Sequence, residues 1–136
     1  MLIVSVMAGL DQRGTCNMKV LNFYHIGKQI PEGAVYIGRG GKGLTQSKFA
    51  NPFKLSENEE RGATLFRYKT WLWNECLKGN ITKSDILSLD GKDLVCFCSP
   101  KPCHGDVIIE LINYVKTYSE YFDYCVQEYK RTTGRV

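Results

Sequence analysis

Between Ala63 and Leu77 the apolar positions recur every three to four residues. Ala63, Phe66, Trp73 and Leu77 form one stripe, with Leu65, Tyr68, Leu72 and Cys76 beside it, a period that predicts an amphipathic helix. Ser56 with Glu59 three residues on reads as a capping box ahead of that helix, and Gly79-Asn80 as its stop. Val107, Ile108, Leu111, Ile112 and Val115 repeat the period in a second helix, and residues 118–131 carry it into a Tyr-rich third. Elsewhere the pattern shortens. Lys19 to Ile26, Ala34 to Ile37 and Asp93 to Cys98 read as strands, the first two separated by the turn-rich residues 27–33 and the third entered through Asp90-Gly91. Ile81 to Leu89 reads as a short irregular or helical link. Strands alternating with helices predict one small α/β domain, a mixed or mostly parallel sheet flanked by helices in a Rossmann-like arrangement. Its expected bounds are 18–117, with a Tyr-rich helix and tail over 118–136 and a loosely attached, partly disordered extension over 1–17.

Composition narrows the class. The chain has 136 residues, enough for one domain that buries roughly two-thirds of its unfolded surface. An apolar share of 43% with 24% charged residues describes a globular protein. Its net charge of +4 suits phosphate handling but lacks the dense basic stripe of a duplex binder. Nucleic acid is therefore not the favoured partner. Leu2 to Leu10 is apolar but too short to span a bilayer and lacks a basic start, so neither a signal peptide nor a membrane anchor is expected. Six cysteines without an export signal favour reduced thiols in a cytoplasm, that of a host if the chain is phage-encoded.

Chemistry concentrates at the strand-to-helix turn Leu94 to Asp106, which holds Cys96, Cys98, Cys103 and His104. Such turns are where open α/β folds place ligands. Three uses of these residues stand open. A metal would find four soft or borderline ligands, but Cys-x-Cys on an extended strand and adjacent Cys103-His104 fit one tetrahedral ion poorly; no metal or cofactor is expected. A reactive thiolate at Cys103 would gain from the helix start, with His104 or Asp106 as acid or base. A binding loop would instead offer the backbone N–H groups around Gly105 to a phosphate or carboxylate, with Cys98 as a tight-packing wall. Buried structural roles for the same cysteines, and a dipole-favoured helix-start role for Asp106, are the plain alternatives.

Gly38 to Gly43 follows the second strand and carries Arg39 and Lys42. It lacks the Gly-Lys-Ser/Thr order of a nucleotide-triphosphate loop and the setting of a dinucleotide fingerprint. Arg39 and Lys48 are the candidate anion contacts. Asn51-Pro52-Phe53 reads as a fixed turn in which Asn51 meets a polar edge and Phe53, like Tyr36, offers a ring.

Taken together, residues 35–39, 51–53 and 91–106 resemble domain of unknown function 4326, a small bacterial and phage family, over roughly residues 19–115. The resemblance implies a compact α/β domain whose motifs converge on one cleft, and no established reaction. The Cys-His pair ahead of an apolar helix is also similar to another uncharacterised Rossmann-like family, and such relatives are discussed as nucleotide-handling proteins. The expected function is binding of a nucleotide or another phosphorylated small molecule, with hydrolysis or transfer open. Sequestration of a signalling nucleotide, docking on a host protein and a metal-stabilised nucleic-acid module are the alternatives. The sequence leaves the oligomeric state undetermined.

Overall fold

A computed structural model describes residues 18–41, 43–54, 61–97 and 103–134. Strands β1 (Val20–Asn22) and β2 (Val35–Tyr36) each pair in parallel with β3 (Leu94–Cys96), giving the order β1-β3-β2. Central β3 is buried at all three positions, as expected of a parallel strand covered on both faces. The register sets Val20 and Val35 beside Leu94, then Leu21 and Tyr36 beside Val95. Pleating sends Val20, Leu94 and Val35 to one face, with Cys96 and Ile37 further along it. That face meets the apolar core.

Four helices are described: α1 (Arg61–Lys78), α2 (Lys83–Leu87), α3 (His104–Thr117) and α4 (Ser119–Thr133). Helix α3 is the hub, touching β3, α1, α2 and α4. Val107, Ile108, Leu111, Ile112 and Val115, the five positions of its sequence period, are all buried. The chain is thus a small α/β domain with a three-stranded parallel sheet. No helix among the described residues is long and apolar enough to cross a membrane.

One local expectation changes and two become specific. The first strand ends at Asn22 rather than Ile26, because the Asn22 side chain accepts a hydrogen bond from the Tyr24 backbone N–H (2.9 Å) and starts a single 3-10 turn over Phe23–Ile26. Gly27, with φ of 77°, closes that turn. The link before β3 contains α2, started by a capping box in which Thr82 Oγ1 and the Asp85 carboxylate satisfy each other's backbone N–H groups. Helix α3 begins at His104, where the helix start is expected, with Cys103 as its cap. The expected capping box at Ser56 and the extension over 1–17 lie outside the described residues.

Candidate functional site at the carboxyl edge of the sheet

All three strands run the same way, so their carboxyl ends share one edge, where Asn22, Ile37 and Phe97 emerge. Helix α3 begins beside them. A Cβ on Gly105 would lie 2.9 Å from Val20 Cγ2 and 3.1 Å from Ile37 Cδ1, so the bare backbone lets α3 press directly on the sheet. This brings Cys103 and His104 against the strand ends.

The Cys103 thiol occupies the place Ser or Thr usually takes at a helix start. Its Sγ accepts from the Gly105 N–H (3.4 Å), while Asp106 Oδ2 reaches back to the Cys103 N–H (3.2 Å) in a capping box. His104 Nε2 lies 2.8 Å from the Ile37 carbonyl oxygen. A carbonyl only accepts, so Nε2 carries the proton and, in the neutral ring, Nδ1 is an acceptor. Cys103 Sγ stands 3.6 Å from that Nδ1, and Cys96 Sγ stands 2.9 Å from Cys103 Sγ. The chemistry orders a relay from Cys96 S–H to Cys103 Sγ, from Cys103 S–H to Nδ1, and from Nε2–H to the carbonyl. Cys96 and Cys103 are each 1% exposed and His104 is 7% exposed. Tyr68 sits edge-on to the His104 ring at 5.2 Å and donates to the Phe49 carbonyl (2.6 Å). Burial, with the neighbouring Cys103 and Cys76, pushes the Tyr68 phenol well up, so it stays a proton donor.

The glycine loop is anchored to the same edge. A Cβ on Gly38 would fall 2.6 Å from Tyr36 Cζ, so only glycine lets Tyr36 fold over the loop and donate to the Arg39 carbonyl (2.6 Å). Arg39 in turn donates from Nε to the Asn51 carbonyl (2.8 Å) and from Nη2 to the Phe53 carbonyl (3.2 Å). Asn51 Oδ1 accepts from the Phe53 N–H (2.9 Å), which fixes the turn around Pro52. Among the described residues no carboxylate pairs with the exposed Arg39.

Residues 36–39, 51–53 and 103–106 therefore form two connected groups, joined where Ile37 meets His104 and Gly105. Lys48 faces elsewhere: its ammonium pairs with Asp85 at 2.8 Å. The Phe53 ring carries the Arg67 guanidinium at 5.8 Å. The Gly105 N–H is used by Cys103 Sγ. Cys98 and Lys42 lie outside the described residues, and among the described ones no group of three acidic, Cys or His side chains is arranged to hold a metal ion.

Sequence reasoning missed an aromatic group at this edge. Phe97 meets Phe23 (5.5 Å), Tyr24 (5.1 Å) and Tyr36 (5.9 Å), and Asn22 Nδ2 donates to the Phe97 carbonyl (3.2 Å). Tyr24 is 46% exposed, so the group has an open side. Its signal was an aromatic directly after each of two strands and at the end of the third. Burial, and the nearby Cys96, raise the Tyr36 phenol's pKa against the lowering pull of Arg39, so it too remains protonated.

No solved structure matches the chain. An uncharacterised 12.4 kDa protein from the nrdA-td intergenic region of Enterobacteria phage T4 is 40% identical over 53 residues, 39% of this chain and 49% of that protein. The chain thus spans about half the length of the curated relative it matches. A family model matches residues 22–114, the stretch that contains β2, β3 and both halves of the carboxyl-edge site, and by that match the chain belongs to the family described as Domain of unknown function (DUF4326).

Proposed function

We propose that the carboxyl edge of the sheet binds a nucleotide or nucleotide-derived small molecule, in a Rossmann-like use of a minimal parallel sheet. One observation carries the reading: an exposed arginine and a partly open aromatic group are fixed to the same strand ends. Arg39 spends two of its N–H groups on carbonyls, which aims the guanidinium and leaves further donors for a phosphate. Tyr24 and Tyr36 supply ring faces for a base, and the Asn51 amide a polar contact for its edge. The setting we infer is the cytoplasm, that of a bacterial host for a phage-encoded copy, in keeping with the T4 relative.

Turnover is a second reading, favoured by the Cys103–His104 contact. There the nucleophile faces the ring nitrogen and the Ile37 carbonyl orients the ring, the arrangement of an activated thiol. Asp106 would then act through the helix cap rather than as the acid, because its carboxylate is held on the Cys103 N–H.

Thermal-shift screening with nucleoside mono-, di- and triphosphates beside their phosphate-free nucleosides tests the binding reading. Nucleotides at a hundredfold excess over Kd should add about 2.7 kcal/mol of stability. Arg39→Gln, which keeps a donor for the Asn51 carbonyl, should remove most of that gain. Equal shifts from nucleosides and nucleotides, or none from either, would sink the proposal. Recovery of the ligand unchanged would leave sequestration, not turnover, as the activity.

A further inference from the structure

Four of the six cysteines are described as free thiols, and they do not share one environment. Cys76 is a buried core thiol, pushed up to about 12 by burial and the nearby Glu75 and Asp85 carboxylates. Cys103 is buried as deeply, but its sulfur is surrounded by hydrogen-bonding groups. The Gly105 and Asp106 N–H groups donate to it, His104 Nδ1 is 3.6 Å away, and Cys96 Sγ is 2.9 Å away. Backbone donors at a helix start stabilise negative charge on sulfur, and a neighbouring imidazole takes up the thiol proton. The two sulfurs need roughly one ångström more approach to bond. Their side chains come from adjoining elements, the end of β3 and the cap of α3, so this approach needs no change of fold.

We propose that Cys96 and Cys103 are a peroxide-oxidisable dithiol, with Cys103 oxidised first and Cys96 resolving it. The co-reactant is a small hydroperoxide. The Cys103 thiolate attacks one peroxide oxygen; the S–O bond forms, the O–O bond breaks, and the departing alkoxide or hydroxide takes the proton held at His104 Nδ1. Cys103 is then a sulfenic acid. The Cys96 sulfur attacks the Cys103 sulfur; the S–S bond forms, the S–O bond breaks, and the oxygen leaves as water with the Cys96 proton. Two thiols lose two electrons in total, and the peroxide is reduced to water and an alcohol, or to two waters from hydrogen peroxide. At 1% exposure the pair admits a small peroxide far better than a bulky disulfide such as oxidised glutathione. Closing the bond removes the S–H that faces His104 Nδ1, so the oxidation state of the pair reaches the floor of the carboxyl-edge site. The proposal does not depend on what that site binds.

Reduced full-length protein, exposed to a slight excess of hydrogen peroxide, quenched with alkylating reagent and mapped by peptide mass spectrometry, decides the matter. The expected product is a Cys96–Cys103 link that dithiothreitol reverses, with Cys76 still alkylated as a thiol. Oxidised glutathione should form the same link at least tenfold more slowly. In Cys96→Ala the reaction should stop at a Cys103 sulfenic acid, trapped by dimedone. Thiols that stay unchanged, or a first link through Cys16, Cys98 or Cys125, would overturn the assignment, and the wild-type map is decisive even where the variant does not fold.

Discussion

A methyl group at position 105 would enter a space already filled by Val20 Cγ2 at 2.9 Å, Val20 Cγ1 at 3.0 Å and Ile37 Cδ1 at 3.1 Å. Val20 lies in β1 and is β-branched, stiff at χ1, so its part of the clash is not relieved by a simple rotamer change. Alanine recovers up to about 1 kcal/mol of helix propensity there, while overpacking a tight core costs about 1–3 kcal/mol. Gly105→Ala should therefore destabilise the fold by about 1 kcal/mol in urea denaturation; a midpoint at or above wild type would show that Val20 and Ile37 yield. At this scale the sequence was informative about where chemistry sits and less so about what each atom does. The Cys103-His104-Gly105-Asp106 run stood out by composition, but Cys is not among the usual cap residues, so its capping role was hidden. Lys48 looked like an anion contact because its partner Asp85 lies 37 residues away, beyond any local pattern. The His104 contact with a backbone carbonyl had no sequence signal, since every residue has that carbonyl.

Helix α2 shows the same division among elements. Its five residues are too few for a hydrophobic period, so the segment read as an irregular or helical link; the Thr82/Asp85 pair, three residues apart, was the available clue to the helix. Asp85 serves two partners, capping α2 and pairing with Lys48, and these hold its carboxyl below the usual aspartate value, with the Lys48 hydrogen bond the largest cause. A carboxyl lowered in the folded state contributes fully above its unfolded pKa, and the contribution is lost as pH falls through the folded value. The two side chains are 51% and 31% exposed, so solvent screening keeps the pair to about 0.5–1 kcal/mol. Asp85→Asn should be less stable than wild type by about that amount at pH 7, and the two should converge as pH drops below about 4. Parallel denaturant titrations across that window check it; a gap that persists at pH 2 would assign the effect to the cap alone. The long helices, by contrast, were legible because their apolar stripes are the surfaces that pack. The strands were legible in place but not in length, because Asn22 diverts β1 into a turn by one side-chain hydrogen bond.

For the molecule as a whole, the question is how α4 belongs to the domain, since the family match stops at residue 114 and α4 spans Ser119–Thr133. Phe122 answers it. The ring is 2% exposed and meets Trp73 of α1 edge-on at 5.7 Å, while Trp73 meets Tyr114 of α3 at 6.1 Å. Three helices thus share one aromatic contact chain, and the Lys83–Asp123 pair at 3.0 Å ties α4 to α2 as well. Phe122 also lines a solvent-open groove of about 350 Å³, with Cys76, Ile81 and Val126 beside the polar Thr82, Lys83, Asp123 and Gln127. Its ring is 2% exposed, so removing it deletes buried apolar contacts with α1 and leaves space that the neighbours only partly refill. Phe122→Ala should cost about 3–5 kcal/mol. Because α3 touches every other helix and β3, that loss should fall on the entire domain rather than on α4 alone. Far-ultraviolet circular dichroism reports all the helices, and tryptophan fluorescence reports α1 beside Phe122, so the two melting curves should coincide in wild type and shift down together in the variant. Two separated transitions, or a loss below about 1 kcal/mol, would show that α4 is an appendage on a domain already complete at Val115.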